Sequence, residues 1–187
     1  MPNHSPGPLK RMRLIDKNGD VLEFDSTGGY LVNVDIEHHK IHDGEHYTCS
    51  EFLVMASETK YWHILAPNTS VRVHYRYIVS SGGGVIVDLR EAPTLSANGA
   101  PGTILNSDRN LGIADVNTLC FTTPTITGGA DGDRIGGTVV GAGKVGGIVE
   151  RNNEVILKQG VSYLLKVISG SVNNDVTVES IFYEVAM

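Results

Sequence analysis

The densest group of side chains able to do chemistry is Glu37-His38-His39-Lys40-Ile41-His42-Asp43-Gly44-Glu45-His46-Tyr47, which holds four of the chain's seven histidines. His38 with His42, and His42 with His46, are spaced to stack imidazoles on one face of a helix, where they could coordinate zinc. The local signals point away from a helix. Asp43-Gly44 is turn-forming and the segment lies between two β-like runs, so a loop is expected here. A cupin-type metal site needs two histidines two apart, and this chain has no His-x-His pair. His39, His42 and His46 are therefore read as residues that hydrogen-bond a loop or line a subunit contact, with no metal and no cofactor expected. A cupin-like metalloprotein using His38, His39, His42 or His46 is the competing class.

Other reactive patterns fail on inspection. Gly141-Ala142-Gly143-Lys144-Val145-Gly146 matches G-x-G-x-x-G as a string, but that motif works only between a strand and a helix whose N-terminus receives a pyrophosphate. Read as a P-loop, the same stretch puts Thr138 at the first glycine and Val145 at the hydroxyl position, and so fails twice. No G-x-S-x-G occurs, and Cys49 falls on the opposite strand face from His46. Asp131 and Asp133 could pair as carboxylates for glycoside hydrolysis, yet their glycine-rich surroundings hold no aromatic platform for a sugar. Chemistry by convergent groups is not expected, and the chain reads as a non-enzyme.

The elements that would have to position any site read almost wholly as strands. Val71, Val73, Tyr75 and Tyr77 alternate with Arg72, His74 and Arg76, the period-two pattern of a half-buried strand. Val85 to Leu89 repeats it after Gly82-Gly83-Gly84, and Val161 to Val167 does so after Gly160. Further strands are expected over Tyr30–Asp35, Tyr47–Met55, Tyr61–Leu65, Thr118–Thr123, Glu154–Lys158 and Val176–Val185. In the last of these the alternation slips between Val176/Val178 and Ile181/Tyr183/Val185, which predicts a bulge near Ser180. No window of helical length keeps a helical period, and Val, Ile, Thr and Tyr dominate the apolar positions.

The resulting fold class is all-β: a jelly-roll-like antiparallel β-sandwich over residues 30–187, preceded over residues 1–29 by an extended arm and a hairpin. Three of the seven prolines fall in the first eight residues, which gives the arm. Asn18-Gly19 between Arg11–Ile15 and Val21–Phe24 gives the hairpin. Its acidic turn lacks the ligand series of an EF-hand. Two long connections, Ala92–Val116 and the glycine-rich Gly128–Gly147, are expected to be floppy or to order against a partner.

Composition narrows the partners. A 187-residue chain can bury a core of its own, and a net charge of −6 argues against nucleic acid, whose phosphates need clustered cations. The local exception is Lys10, Arg11 and Arg13. Cys49 and Cys120 sit in apolar strand-like surroundings and read as small buried hydrophobes. There is no signal-like N-terminus and no apolar run long enough to span a bilayer, so cytoplasmic synthesis and no membrane partner are expected.

His39-Lys40-Ile41-His42-Asp43-Gly44-Glu45-His46-Tyr47, then a β-rich middle, then Gly141-Ala142-Gly143-Lys144, then Arg151-Asn152-Asn153-Glu154-Val155-Ile156-Leu157-Lys158 and Ser162-Tyr163-Leu164-Leu165-Lys166-Val167 resembles a family of tailed-bacteriophage virion structural proteins. The likeness covers Asp35 to Met187. It implies a capsid decoration or cement protein, often a homotrimer, that sits on the outside of the head, binds the major capsid protein and stabilises the shell. Its location would be the virion surface, after synthesis in the host bacterial cytoplasm. Contact residues on this reading are Lys10, Arg11, Arg13, His39, His42, His46, Lys144 and Arg151. A head-fibre base, tail or receptor-binding component is the alternative within the same class.

Overall fold

A computed structural model describes residues 36–113, 116–140, 147–150 and 154–187. The expected arm, the hairpin at Asn18-Gly19, the strand at Tyr30–Asp35 and the contact candidates Lys10, Arg11, Arg13, Lys144 and Arg151 lie outside these residues. Ile36–Met187 forms one compact unit.

The chain begins there with a short helix α1 (Ile36–His42) and continues through β1 (His46–Met55), β2 (Thr59–Leu65), β3 (Val71–Ser81), β4 (Val85–Glu91), β5 (Leu95–Ala97), β6 (Ala100–Pro101), β7 (Ile104–Asn106), β8 (Leu119–Thr122), β9 (Thr125–Ile126), β10 (Asp133–Val140), β11 (Gly147–Glu150), β12 (Val155–Leu157), β13 (Ser162–Ser169) and β14 (Asn174–Ala186). One sheet runs β11-β3-β14-β1-β7, with β12 also on β3; the other runs β10-β4-β13-β2-β8-β6. Every pairing is antiparallel. The antiparallel β-sandwich expected from the alternation is what forms.

Alternation fixes which face is inside. Val73, Tyr75, Tyr77 and Val79 of β3 pack with Val176, Val178 and Phe182 of β14, and across from them lie Val85, Val87 and Leu89 of β4 with Leu165 and Val167 of β13. Ile64, Leu165, Phe182 and Val79 are fully buried, and each such side chain contributes roughly 1.5–3 kcal/mol relative to exposure.

Three expectations are corrected. The histidine segment opens with a helix rather than a loop: Glu45 N–H donates to Lys40 O at 3.0 Å and Gly44 N–H to Ile41 O at 3.1 Å, with Gly44 at φ +73°. These are the two bonds of a Schellman cap, so Asp43-Gly44 ends a helix instead of forbidding one. No bulge interrupts β14, which keeps continuous register with β3 from Val176↔Ser81 to Ala186↔Val71. The slip arises because both faces are covered there: Ser180 and Phe182 point inward, while Tyr183 is buried on the other face between the rings of His46 and His74. Finally, Gly128–Gly147 is not one loop, since Asp133–Val140 is an edge strand on β4 with an irregularity between Arg134 and Gly136. Ala92–Val116 likewise carries β5, β6 and β7.

Candidate functional site

The expected contact histidines divide between surface and interior. His39 is exposed on α1, its Nδ1 2.8 Å from Asp43 Oδ2, and His42 is exposed with its Nε2 3.1 Å from that of His38. The helix therefore does bring the i, i+4 imidazoles together. His46, by contrast, is only 4% exposed. Its Nδ1 lies 2.6 Å from Ser107 Oγ and its Nε2 3.0 Å from Glu37 Oε1, and Glu37 also pairs with Arg76. Among the described residues no three of His, Cys, Asp or Glu converge as a metal centre. The imidazoles named for a cupin-like site lie on α1 and on the face of β1 turned away from the opposing sheet.

Asp131 is likewise committed. Arg90 donates to its Oδ1 at 2.9 Å and Lys166 to its Oδ2 at 2.6 Å. Asp131 raises the Lys166 pKa above its ordinary value, working against burial, with Tyr61 adding a smaller contribution. The carboxylate thus pins the long connection before β10 onto strands β4 and β13. Thr94 N–H donating to Ala130 O at 2.9 Å ties this stretch to the start of the Ala92–Val116 connection.

One cleft opens between the sheets where Ala100–Asn106 crosses from the β8 edge to the β1 edge. β6 pairs with β8 and β7 pairs with β1. Cys49, Glu51, Trp62, Gly102, Cys120 and Thr122 line it, and its volume is about 210 Å³. Small-molecule sites usually hold about 300–1,000 Å³, so this one suits a small group at most. Trp62 Nε1 donates to Glu51 Oε2 at 2.6 Å, tying β2 to β1 across the cleft. The residues here were not legible as a cluster, because they come from strands far apart in sequence.

The first sheet leaves one side of β1 open. β7 pairs with β1 only at Tyr47, Thr48 and Cys49, so from Ser50 to Met55 that side of β1 has no paired strand among the described residues. Along the same stretch Phe52 is 69% and Val54 55% exposed. On the second sheet Val139 of β10 stands opposite Ile86 of β4, and both are exposed. The sequence marked these positions only as strand alternation; their exposure depends on where neighbouring strands stop.

Comparison with protein-family models, with curated proteins and with solved structures returned no match.

Proposed function

We propose that the chain is an accessory capsid protein of a tailed bacteriophage, which binds the outer surface of the head and stabilises the shell by protein contact. The observation that carries this reading is the Ser50–Met55 edge of β1, unpaired among the described residues, with Phe52 and Val54 outward. Exposed apolar side chains on a free strand edge are the chemistry of a surface that adds to another protein, through main-chain hydrogen bonds and packing together. The ordered motifs from His39 to Val167 supply the class of partner, the major capsid protein, and the trimeric state that goes with it.

Strand order supports the jelly-roll part of the reading. β1, β14, β3 and β11/β12 lie in one sheet, and β2, β13, β4 and β10 in the other, the alternation produced by two Greek keys. A protein that binds the assembled shell and not the free subunit stabilises it by mass action.

The test is to incubate purified protein with heads lacking it and to image the shell. Density on the capsid lattice, reduced at least tenfold in occupancy at matched concentration by Phe52→Lys, is the expected result. Heads that stay bare at micromolar protein would remove the capsid from the reading.

A further inference from the structure

The cleft brings together the two cysteines of the chain. Cys49 is on the core side of β1 and Cys120 on the core side of β8. The two strands belong to different sheets, yet both side chains line the same cleft. Gly102 roofs them: its N–H donates to Cys120 O at 2.9 Å, and a Cβ at this position would come within 2.8 Å of Cys49 Sγ. Both cysteines are free thiols. Read from sequence they are apolar filler; the fold makes them neighbours across the sandwich.

We propose that Cys49 and Cys120 form a reversible disulfide that staples the two sheets together at the Gly102 crossing, with a low-molecular-weight disulfide as the oxidant. Cys49 lines the cleft and is partly exposed, whereas Cys120 is buried, so Cys49 is the sulfur an oxidant meets first. Its thiolate attacks one sulfur of R–S–S–R; the new bond to Cys49 Sγ forms as the R–S–S–R bond breaks and one thiolate leaves. Cys120 then loses its proton and attacks Cys49 Sγ, expelling the second thiolate. Two protein thiols have given up two protons and two electrons, and one small disulfide has become two thiols.

The electrostatics favour this order. The hydrogen bond from Cys120 holds the Cys49 thiol below its ordinary pKa, against burial and the Glu51 charge. Cys120 is pushed up by that same hydrogen bond, by burial and by the negative charge of Cys49. Once Cys49 is in a mixed disulfide the first and third of these causes vanish, which frees Cys120 for the second step. Reducing cytoplasm would keep the pair open during synthesis, and an oxidising exterior would close it.

The experiment uses the full chain with oxidised glutathione as probe, followed by alkylation, intact mass and peptide mapping. Expected is a product lighter than the reduced chain by two hydrogen atoms, with both thiols blocked and Cys49 linked to Cys120. Cys120→Ser, checked for native far-UV circular dichroism, should stop at a glutathione adduct on Cys49. The oxidised wild type should melt higher by on the order of 5–10 °C. A wild-type chain that keeps two alkylatable thiols, or that accumulates the Cys49 adduct without resolving it, overturns the proposal. So does an unchanged or lower melting temperature in the linked form, since a bond that strains the sandwich is no staple.

Discussion

Glu184 Oε1 accepts both the backbone N–H and the hydroxyl of Thr118, each at 2.7 Å. The carboxylate sits on β14 at 6% exposure and also takes the backbone N–H of Asn117 at 3.0 Å and the Asn117 side-chain N–H at 2.8 Å. Each of these four groups is a donor. A single buried acid thereby fixes the chain just before β8, and with it the strand that carries Cys120. Glu184→Gln, nearly identical in shape, replaces an acceptor with a donor among donors. The expected cost is about 2–4 kcal/mol of unfolding free energy, because charge-assisted bonds are lost and a buried polar group is left unpaired. Urea denaturation measures it, and a loss below about 0.5 kcal/mol would mean that the carboxylate is not what holds this turn.

His63 sets a pH dependence. Its Nδ1 is 3.3 Å from the Asn98 carbonyl and its Nε2 3.0 Å from Ser162 Oγ, with Phe121 stacked on the ring at 5.2 Å. The carbonyl can only accept, so Nδ1 carries the proton and Nε2 accepts from the serine hydroxyl. Burial lowers the pKa from 6.5, partly offset by the Asn98 bond. A depressed folded value means that the unfolded chain takes up the proton first as the pH drops. The contribution is complete above about 6.5 and is lost as pH falls through the folded value. Wild-type protein should therefore lose more stability than His63→Gln between pH 7.5 and pH 5.5, read as the difference in urea midpoints. Parallel profiles would exclude His63 as the source.

How much of this was legible in sequence differs by residue. Val71, Val73, Tyr75 and Tyr77 declared their face because a strand with one side in the core can only alternate. Ile181 and Tyr183 broke the pattern because they are buried on the other side, and coverage by His46 and His74 is a tertiary fact with no local signature. Gly44 misled in a different way: a glycine at positive φ ends a helix as readily as it makes a turn, and the outcome rests on the bonds that Glu45 and Gly44 make backward. Cys49 and Cys120 were correctly placed on apolar strand faces, yet nothing in their spacing says that β1 and β8 meet.

Asp131 makes the long connection testable. With Arg90 and Lys166 both bound to it, Asp131→Asn leaves two cations beside a neutral amide and weakens the attachment of the chain before β10. Limited proteolysis should cut the Ala92–Asp131 region at least several-fold faster in the variant, while the global urea midpoint moves by less than about 1 kcal/mol equivalent, as local opening is cheaper than unfolding. Equal cleavage rates would show that the connection is held by its backbone pairings alone.

Glycine in the β10 region is a packing requirement and not simply a mark of looseness. A Cβ on Gly137 would lie 2.6 Å from each of Val87 O, Asp88 Oδ1 and a terminal nitrogen of Arg134. The arginine tip can move aside. The Val87 carbonyl cannot without lifting β10 off β4, and Asp88 is held by its pairs with Arg90 and Arg134. Gly112 has nothing within 4 Å of such a Cβ among the described residues, and no positive φ. Gly137→Ala should thus cost about 1–3 kcal/mol through overpacking, whereas Gly112→Ala should be neutral or slightly stabilising through the lower entropy of its unfolded chain. Thermal melts of the two variants side by side decide it: equal melting temperatures would mean that β10 yields freely, and that the glycines there serve no close approach to β4.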